Sequence, residues 1–168
     1  MSNQPYGHSD SRDARAPWLV KMTSPAHFAL ALAFGAWLQA ALELPLPAPA
    51  TLALIELAGG LIACAGLALA VSCFVLFARR RTTIMPSGHP SQLVIEGPYR
   101  FTRNPMYLAL VLSYVGLCLQ LGLPWALLLL PMPWLALQCY VIPFEEQRLQ
   151  CEFGRQYHSY CSRVRRWL

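Results

Sequence analysis

Four long apolar segments constrain the fold of this chain more than any other feature of its sequence. They cover residues 26–46, 51–78, 105–121 and 125–142. An α-helix rises 1.5 Å per residue, so about 20 apolar residues cross the hydrocarbon core of a bilayer. Only 12% of the 168 residues are charged, against roughly 25% in soluble domains. The sequence therefore predicts an all-α integral membrane protein with four transmembrane helices.

The basic residues are confined to the polar segments at one end of these helices. Three lie in the amino-terminal arm, five arginines lie in the connection between the second and third spans, and five more follow Glu146. The other two turns contain no Lys or Arg. The positive-inside rule then places both termini and the middle connection in the cytoplasm. Basic blocks beside apolar runs are typical of a membrane surface, so we expect no binding of nucleic acid.

The polar content divides the chain into two parts. Residues 1–24 are rich in polar residues and are predicted to form a flexible cytoplasmic arm, and residues 25–168 form a single membrane domain. Residues 144–166 are expected to form amphipathic cytoplasmic helices that cover a site. Pro131 and Pro133 should kink the fourth span and leave room there for a ligand.

The cysteines and histidines do not predict a metal site. The six cysteines include no Cys-x-x-Cys pair, and no histidine stands at metal-ligand spacing from them. We expect reduced, structural thiols and no metal. His89 and His158 are possible proton carriers, although a solvated histidine is the simpler interpretation.

The segment Gly97–Tyr107 combines a turn, a basic patch and a helix start. Asn104 is expected to cap the third span, because its side chain can accept from free backbone N–H groups and Pro105 loses no hydrogen bond at the first helical position. The positive end of that helix, with Arg103, is suited to an anionic group.

Glu145 and Glu146 follow the fourth span at the same membrane face. Adjacent helical positions lie about 100° apart, so the two carboxylates should face different partners. One is expected to pair with an arginine, and the other to accept from a ligand ammonium or hydroxyl group. The alternative is that both are merely solvated or paired interface charges.

With these residues in hand, the carboxy-terminal half resembles the isoprenylcysteine carboxyl methyltransferase family, whose membrane-embedded fold is shared with phospholipid methyltransferases. The resemblance covers roughly residues 86–168 and rests on four groups of residues in a set order. They are Gly97-Pro-Tyr-Arg100, Arg103-Asn-Pro-Met-Tyr107, Glu145-Glu-Gln-Arg-Leu149 and Phe153-Gly-Arg-Gln-Tyr157, the last followed by Tyr160, Arg163 and Val164.

The resemblance implies S-adenosylmethionine as cofactor, bound at the cytoplasmic face between the Arg-Asn-Pro helix start and the Glu-Glu segment. It also implies a set of cofactor-binding residues and a set nearer the methyl acceptor. The first set is Gly97, Tyr99, Arg103, Asn104, Pro105, Tyr107, Glu145 and Glu146. The catalytic set is Arg163, Glu146 and Tyr160.

The expected reaction is methyl transfer to a lipophilic or membrane-partitioned acceptor in a bacterial inner membrane. A carboxylate acceptor is favoured, because it needs no general base, whereas an amine or thiol would need Glu146 or His158 to remove a proton. The alternative is a non-enzymatic four-span protein whose basic face binds anionic lipid or a partner protein.

Overall fold

The computed structural model describes residues 24–80 and 93–168, and every regular element in these two ranges is helical. Apart from Ser24, the predicted flexible arm lies outside the described residues, as does His89. The elements, in chain order, are α1 (Ser24–Leu42), α2 (Pro49–Arg80), a 3₁₀ turn (Gly97–Arg100), α3 (Pro105–Gln120), α4 (Pro124–Leu129), α5 (Pro131–Ala136), a π segment (Leu137–Val141) and α6 (Ile142–Cys161).

Three or four of these helical stretches are apolar enough to span a membrane. Three stretches are both long enough and apolar enough to cross a bilayer: Pro25–Leu42, Pro49–Arg80 and Pro124–Cys161. Helix α3 is apolar but has only 16 residues. Large apolar side chains lie exposed on the outer face of α2, where Leu54, Leu57 and Leu61 are 63–68% accessible. Such a surface is suited to lipid rather than water. The predicted all-helical membrane architecture is confirmed to this extent.

Helix α1 ends at Leu42, four residues before the predicted end of the first span at residue 46. Glu43 has a φ of 40°, which no α-helix continues, and Pro45 follows it. The Gln39 side-chain amide donates to the Leu44 carbonyl over 3.0 Å and closes the helix end. Helix α2 extends two residues beyond the predicted span and ends on Arg79 and Arg80.

The closest helix pair is α2 with α3, and small residues make that approach possible. A Cβ built on Gly116 would lie 2.3 Å from the Ala63 backbone nitrogen and 2.7 Å from the Gly59 carbonyl oxygen. These are backbone atoms that no rotamer change can move. Gly59 and Ala63 of the second span therefore serve helix packing, because small residues let two helices approach closely.

The core lies where α1, α3 and α4 meet. Phe28 packs edge-on against Tyr114 with ring centroids 5.4 Å apart, and the Tyr114 hydroxyl donates to the Ala126 carbonyl over 2.6 Å. Both rings and Ala126 are buried. A buried hydroxyl without a partner would be costly in hydrocarbon, and this bond satisfies it while joining α3 to α4.

The predicted turn between the third and fourth spans is present and is closed by Gly122, whose φ is 60°. The Leu123 amide donates to the Cys118 carbonyl over 2.9 Å, and the Gly122 amide donates to Leu119 over 3.4 Å. This pair of bonds is a Schellman motif, which ends a helix and reverses the chain within a few residues. Helices α3 and α4 consequently form a tight hairpin.

The fourth span is interrupted at Leu130 and again at the π segment. Pro131 and Pro133 have no N–H to continue the α-helical ladder, which accounts for the first interruption. In the π segment the Ile142 amide donates to the Leu137 carbonyl, five residues back. The cleft described below lies beside Pro143, and neither Pro131 nor Pro133 lines it.

Helix α6 bends at Gly154, with φ 47° and ψ −117°, and ends at Cys161. The expectation of helical structure through residue 166 is therefore wrong for its last five residues. Residues 162–168, named here the C-terminal strap, leave the helix and return to the start of α3, where the Arg103 amide donates to the Arg165 carbonyl over 2.9 Å.

Substituting Gly116 should separate α2 from α3. We expect Gly116→Ala to destabilise the fold by about 1–3 kcal/mol, because the added methyl group meets backbone atoms. The matched control is Gly60→Ala on the same interface, where the new methyl group meets only the movable end of the Gln120 side chain. Thermal unfolding in detergent, followed by circular dichroism, is the measurement. Equal melting temperatures for the two variants would contradict this account of the interface.

Candidate functional site

The start of α3 brings three polar residues to the end of the helix bundle. Thr102 is 2% exposed, and its hydroxyl oxygen accepts from the Asn104 amide over 3.2 Å. The proline that follows Asn104 occupies the first helical position and is also buried. These contacts fix the backbone of Arg103, whose side chain extends toward α6.

Asn104 does not cap α3 with its side chain, which corrects the sequence-based expectation. Its backbone is outside the usual cap conformation, with φ −127° and ψ 54°, and no side-chain cap bond is present. Its amide nitrogen Nδ2 instead donates to the Arg166 carbonyl over 3.0 Å, and the Thr102 hydroxyl donates to the same oxygen, also over 3.0 Å. Asn104 therefore binds the C-terminal strap.

Glu145 and Glu146 face different partners, in keeping with their adjacent positions on α6. Glu146 accepts two hydrogen bonds from Arg166, from Nε to Oε1 over 3.1 Å and from Nη2 to Oε2 over 2.5 Å. Arg103 Nη2 lies 3.4 Å from Glu146 Oε1. Glu145 accepts from the Tyr107 hydroxyl over 2.7 Å. The expected pairing of one glutamate with arginine is thus present at Glu146, whereas Glu145, expected to serve a ligand, accepts a hydrogen bond from a tyrosine of the protein.

Beside Glu146 lies an open cleft of about 420 Å³. Of the sequence-predicted site residues, Arg103 and Glu146 line it. The side chains of both are largely buried, at 17% and 19% exposed. The full lining is Arg103, Pro143, Glu146, Gln147, Gln150, Tyr157, His158 and Cys161.

The other predicted site residues lie outside that lining. Tyr99 packs edge-on against Phe77, with centroids 5.7 Å apart, and its carbonyl accepts from the Tyr160 hydroxyl over 2.7 Å. Burial raises the pKa of Tyr99 well above its usual range, so it stays a neutral phenol. Gly97 begins the 3₁₀ turn that positions Tyr99. Arg163 is exposed, and its Nε donates to the Ser159 carbonyl in the last turn of α6 over 3.1 Å.

Arg103 is the cation that the cleft leaves least satisfied. Its Nη1 donates to the Cys161 sulfur over 2.5 Å, a weak acceptor, and its buried Nε has no partner within the described ranges. With Glu146 as the one carboxylate between two guanidinium groups, this corner carries surplus positive charge. A partly buried cation of this kind favours an anionic ligand.

The sequence interpretation placed residues 144–166 over the site but assigned no role there to Arg166 or Trp167. The indole Nε1 of Trp167 donates to Gln138 Oε1 over 2.8 Å, so the strap is attached to the π segment as well as to α3. The bond to Glu146 raises the pKa of Arg166, which keeps it charged. The sequence did contain a signal, since Arg165, Arg166 and Trp167 stand together, but a basic lipid-facing helix was an equally good interpretation of it.

No group of three potential ligands among His, Cys, Asp and Glu is close enough to hold a metal ion in residues 24–80 and 93–168. The described cysteines are free thiols.

The fold and the cleft together define a helical integral membrane protein with a charged site at the end of its bundle. The family model for phospholipid methyltransferases matches residues 54–156, which is more than half of the chain. The chain belongs to the phospholipid methyltransferase family, and the resemblance to membrane methyltransferases seen in the sequence is confirmed. Searches of curated proteins and of solved structures each found no match.

Two substitutions of Asn104 separate capping from strap binding. Asparagine and aspartate cap helices equally well, so a capping role predicts that Asn104→Asp is tolerated. Strap binding predicts the reverse, since a carboxylate would face the Arg166 carbonyl across 3.0 Å. We expect Asn104→Ala to cost about 1 kcal/mol and Asn104→Asp to cost more.

Hydrogen exchange of peptides covering residues 162–168, read by mass spectrometry, measures the effect. We expect exchange to be slowest in the wild type, faster in Asn104→Ala and fastest in Asn104→Asp. Wild-type protection in Asn104→Asp would restore the capping interpretation.

Proposed function

We propose that this chain is an S-adenosylmethionine-dependent methyltransferase whose acceptor reaches the site from the bilayer. Membership of the phospholipid methyltransferase family implies methyl transfer. The observation that supports a site near α6 is the cleft lined by Arg103, Glu146 and His158. Its volume of about 420 Å³ falls within the range of about 300–1,000 Å³ common for small-molecule sites.

The residues around the cleft fit this cofactor. S-adenosylmethionine carries a carboxylate, and the underused donors of Arg103 supply a partner for it. Arg103 also precedes α3 by two residues, and the helix dipole favours negative charge near that end of α3. We assign the cofactor carboxylate to Arg103, and we assign to Glu146 the role of holding Arg103 and Arg166 in place.

The second carboxylate, Glu145, together with Tyr107, is our candidate for the amino or hydroxyl groups of the cofactor. The Tyr107 hydroxyl occupies one oxygen of Glu145, and a carboxylate offers further lone pairs. The remaining predicted residues then support the site without contacting the cofactor. Asn104 and Pro105 fix the start of α3, and Gly97 and Tyr99 belong to the 3₁₀ turn.

When bound, the cofactor supplies an electrophilic methyl group, and the chain must align an acceptor with it and exclude water. A carboxylate acceptor needs no base. An amine or thiol must lose a proton, and guanidinium groups already occupy Glu146, so His158 is our candidate to accept that proton. We propose no role for Arg163 at the acceptor, because it is exposed and its side chain is bonded to the Ser159 carbonyl of α6.

We further propose that the site faces the cytoplasm. The arginines of the described ranges lie at the end of the bundle that carries the cleft, whereas the turns at residues 43–48 and 121–123 contain no Lys or Arg. Positive charge of this distribution is retained on the cytoplasmic side of a membrane. The acceptor would then approach sideways, from the leaflet that borders α6.

Calorimetry with S-adenosylhomocysteine on the detergent-purified protein tests the cofactor assignment. We expect micromolar binding, about −8 kcal/mol, and at least a tenfold loss in Arg103→Gln, about 1.4 kcal/mol. The matched control is Arg100→Gln, because Arg100 is exposed and lies outside the cleft lining. The absence of binding by folded wild-type protein would refute the cofactor assignment.

Incubation with S-adenosylmethionine labelled in its methyl group and a total lipid extract identifies the acceptor. We expect label in a lipid-soluble product with the wild-type protein, and a strong loss of that product with Arg103→Gln. Label that enters only water-soluble products would contradict an acceptor from the bilayer.

A further inference from the structure

The C-terminal strap joins three parts of the chain at the cleft. Its backbone is held by the start of α3 through Thr102, Arg103 and Asn104. Its Arg166 side chain reaches Glu146 on α6, and its Trp167 side chain reaches the π segment. The backbone bonds of the strap do not involve the Arg166 guanidinium. The contribution of that side chain can therefore be tested while the backbone bonds stay in place.

That guanidinium competes with Arg103 for one carboxylate. Arg166 takes both oxygens of Glu146, at 3.1 and 2.5 Å, in the two-pronged geometry that is strongest for arginine and carboxylate. Arg103 makes only the longer 3.4 Å contact with Glu146. If Arg166 were absent, Arg103 would be the one cation already beside Glu146, and the two would form a closer pair.

We propose that Arg166 is a positioning residue that prevents Glu146 from neutralising Arg103. Its guanidinium satisfies the carboxylate, and Arg103 is thereby left to present its charge to an anionic group in the cleft. The inference rests on the proposed function only for the identity of that group, the carboxylate of S-adenosylmethionine. The arrangement of the three charges is independent of the ligand.

Arg166→Gln tests the guanidinium while leaving the backbone bonds of the strap in place. We compare two ligands, S-adenosylhomocysteine and 5′-methylthioadenosine, which lacks the amino-acid part. We expect the dissociation constant of the first to rise about tenfold and that of the second to stay within about twofold. Arg166→Lys should give an intermediate loss, since an ammonium cannot make the two-pronged contact. An equal loss for both ligands would mean a merely structural role and would overturn the proposal.

The double variant Glu146→Gln/Arg166→Gln supplies the decisive comparison. It removes the competing carboxylate together with its partner, so the affinity for S-adenosylhomocysteine should be at least about threefold higher than that of Arg166→Gln. If Arg166 only supported the fold, the double variant would bind no better than Arg166→Gln. That outcome would also overturn the proposal.

A second measurement needs no ligand. Phenylglyoxal modifies accessible, unpaired arginines, and peptide mass spectrometry reports its rate at Arg103, with the exposed Arg100 as internal reference. We expect the rate at Arg103 to fall severalfold in Arg166→Gln and to recover in the double variant. An unchanged rate would overturn the inference. If wild-type protein bound no S-adenosylhomocysteine, the proposed function would fall, and this labelling would still decide the role of Arg166.

Discussion

The site depends on the neutralisation of the negative charge of one partly buried carboxylate. Glu146 is 19% exposed and receives Arg103 from the start of α3 and Arg166 from the C-terminal strap. A carboxylate removed from water is costly unless charged donors surround it, so three segments distant in sequence have to meet at one point. Two cations around one anion leave a surplus positive charge at this point, and our assignment of an anionic group to Arg103 rests on that surplus.

The helix packing below this junction is what makes its geometry reproducible. Gly59, Gly66 and Gly116 bring α2 and α3 so close that their backbones are in contact. The Schellman turn at Gly122 then returns the chain as an antiparallel partner. In hydrocarbon every backbone group must be paired within the protein, so these apolar segments have few alternatives to helix. A rigid bundle beneath the membrane face can therefore support precise contacts at its polar end.

The features that could be predicted from sequence are those with a local physical cause. Long apolar runs follow from hydrocarbon thickness and proline breaks from missing backbone donors, and the structure contains both. The pairing of Arg166 with Glu146 spans twenty positions and depends on where the chain leaves α6.

Nothing local distinguishes Arg166 from Arg163, three residues earlier, which is exposed. The predicted capping role of Asn104 was wrong for the same reason. Its residue type predicts a helix cap, whereas in the structure its side-chain amide donates to the Arg166 carbonyl, which is distant in sequence. The sequence alone could not predict these side-chain partners, because the fold, and not the neighbouring sequence, brings them together.

The π segment acts as a rotational register between the membrane and the site. A π turn accommodates one residue more than an α-helix does, and one residue corresponds to a rotation of about 100°. If the same residues between Leu137 and Val141 were wound as an ordinary α-helix, all of α6 would be turned by about that angle. Glu146 would then face away from Arg103, although every side chain of the site was still present. The orientation of the charged groups is thus encoded in a stretch that contributes none of them.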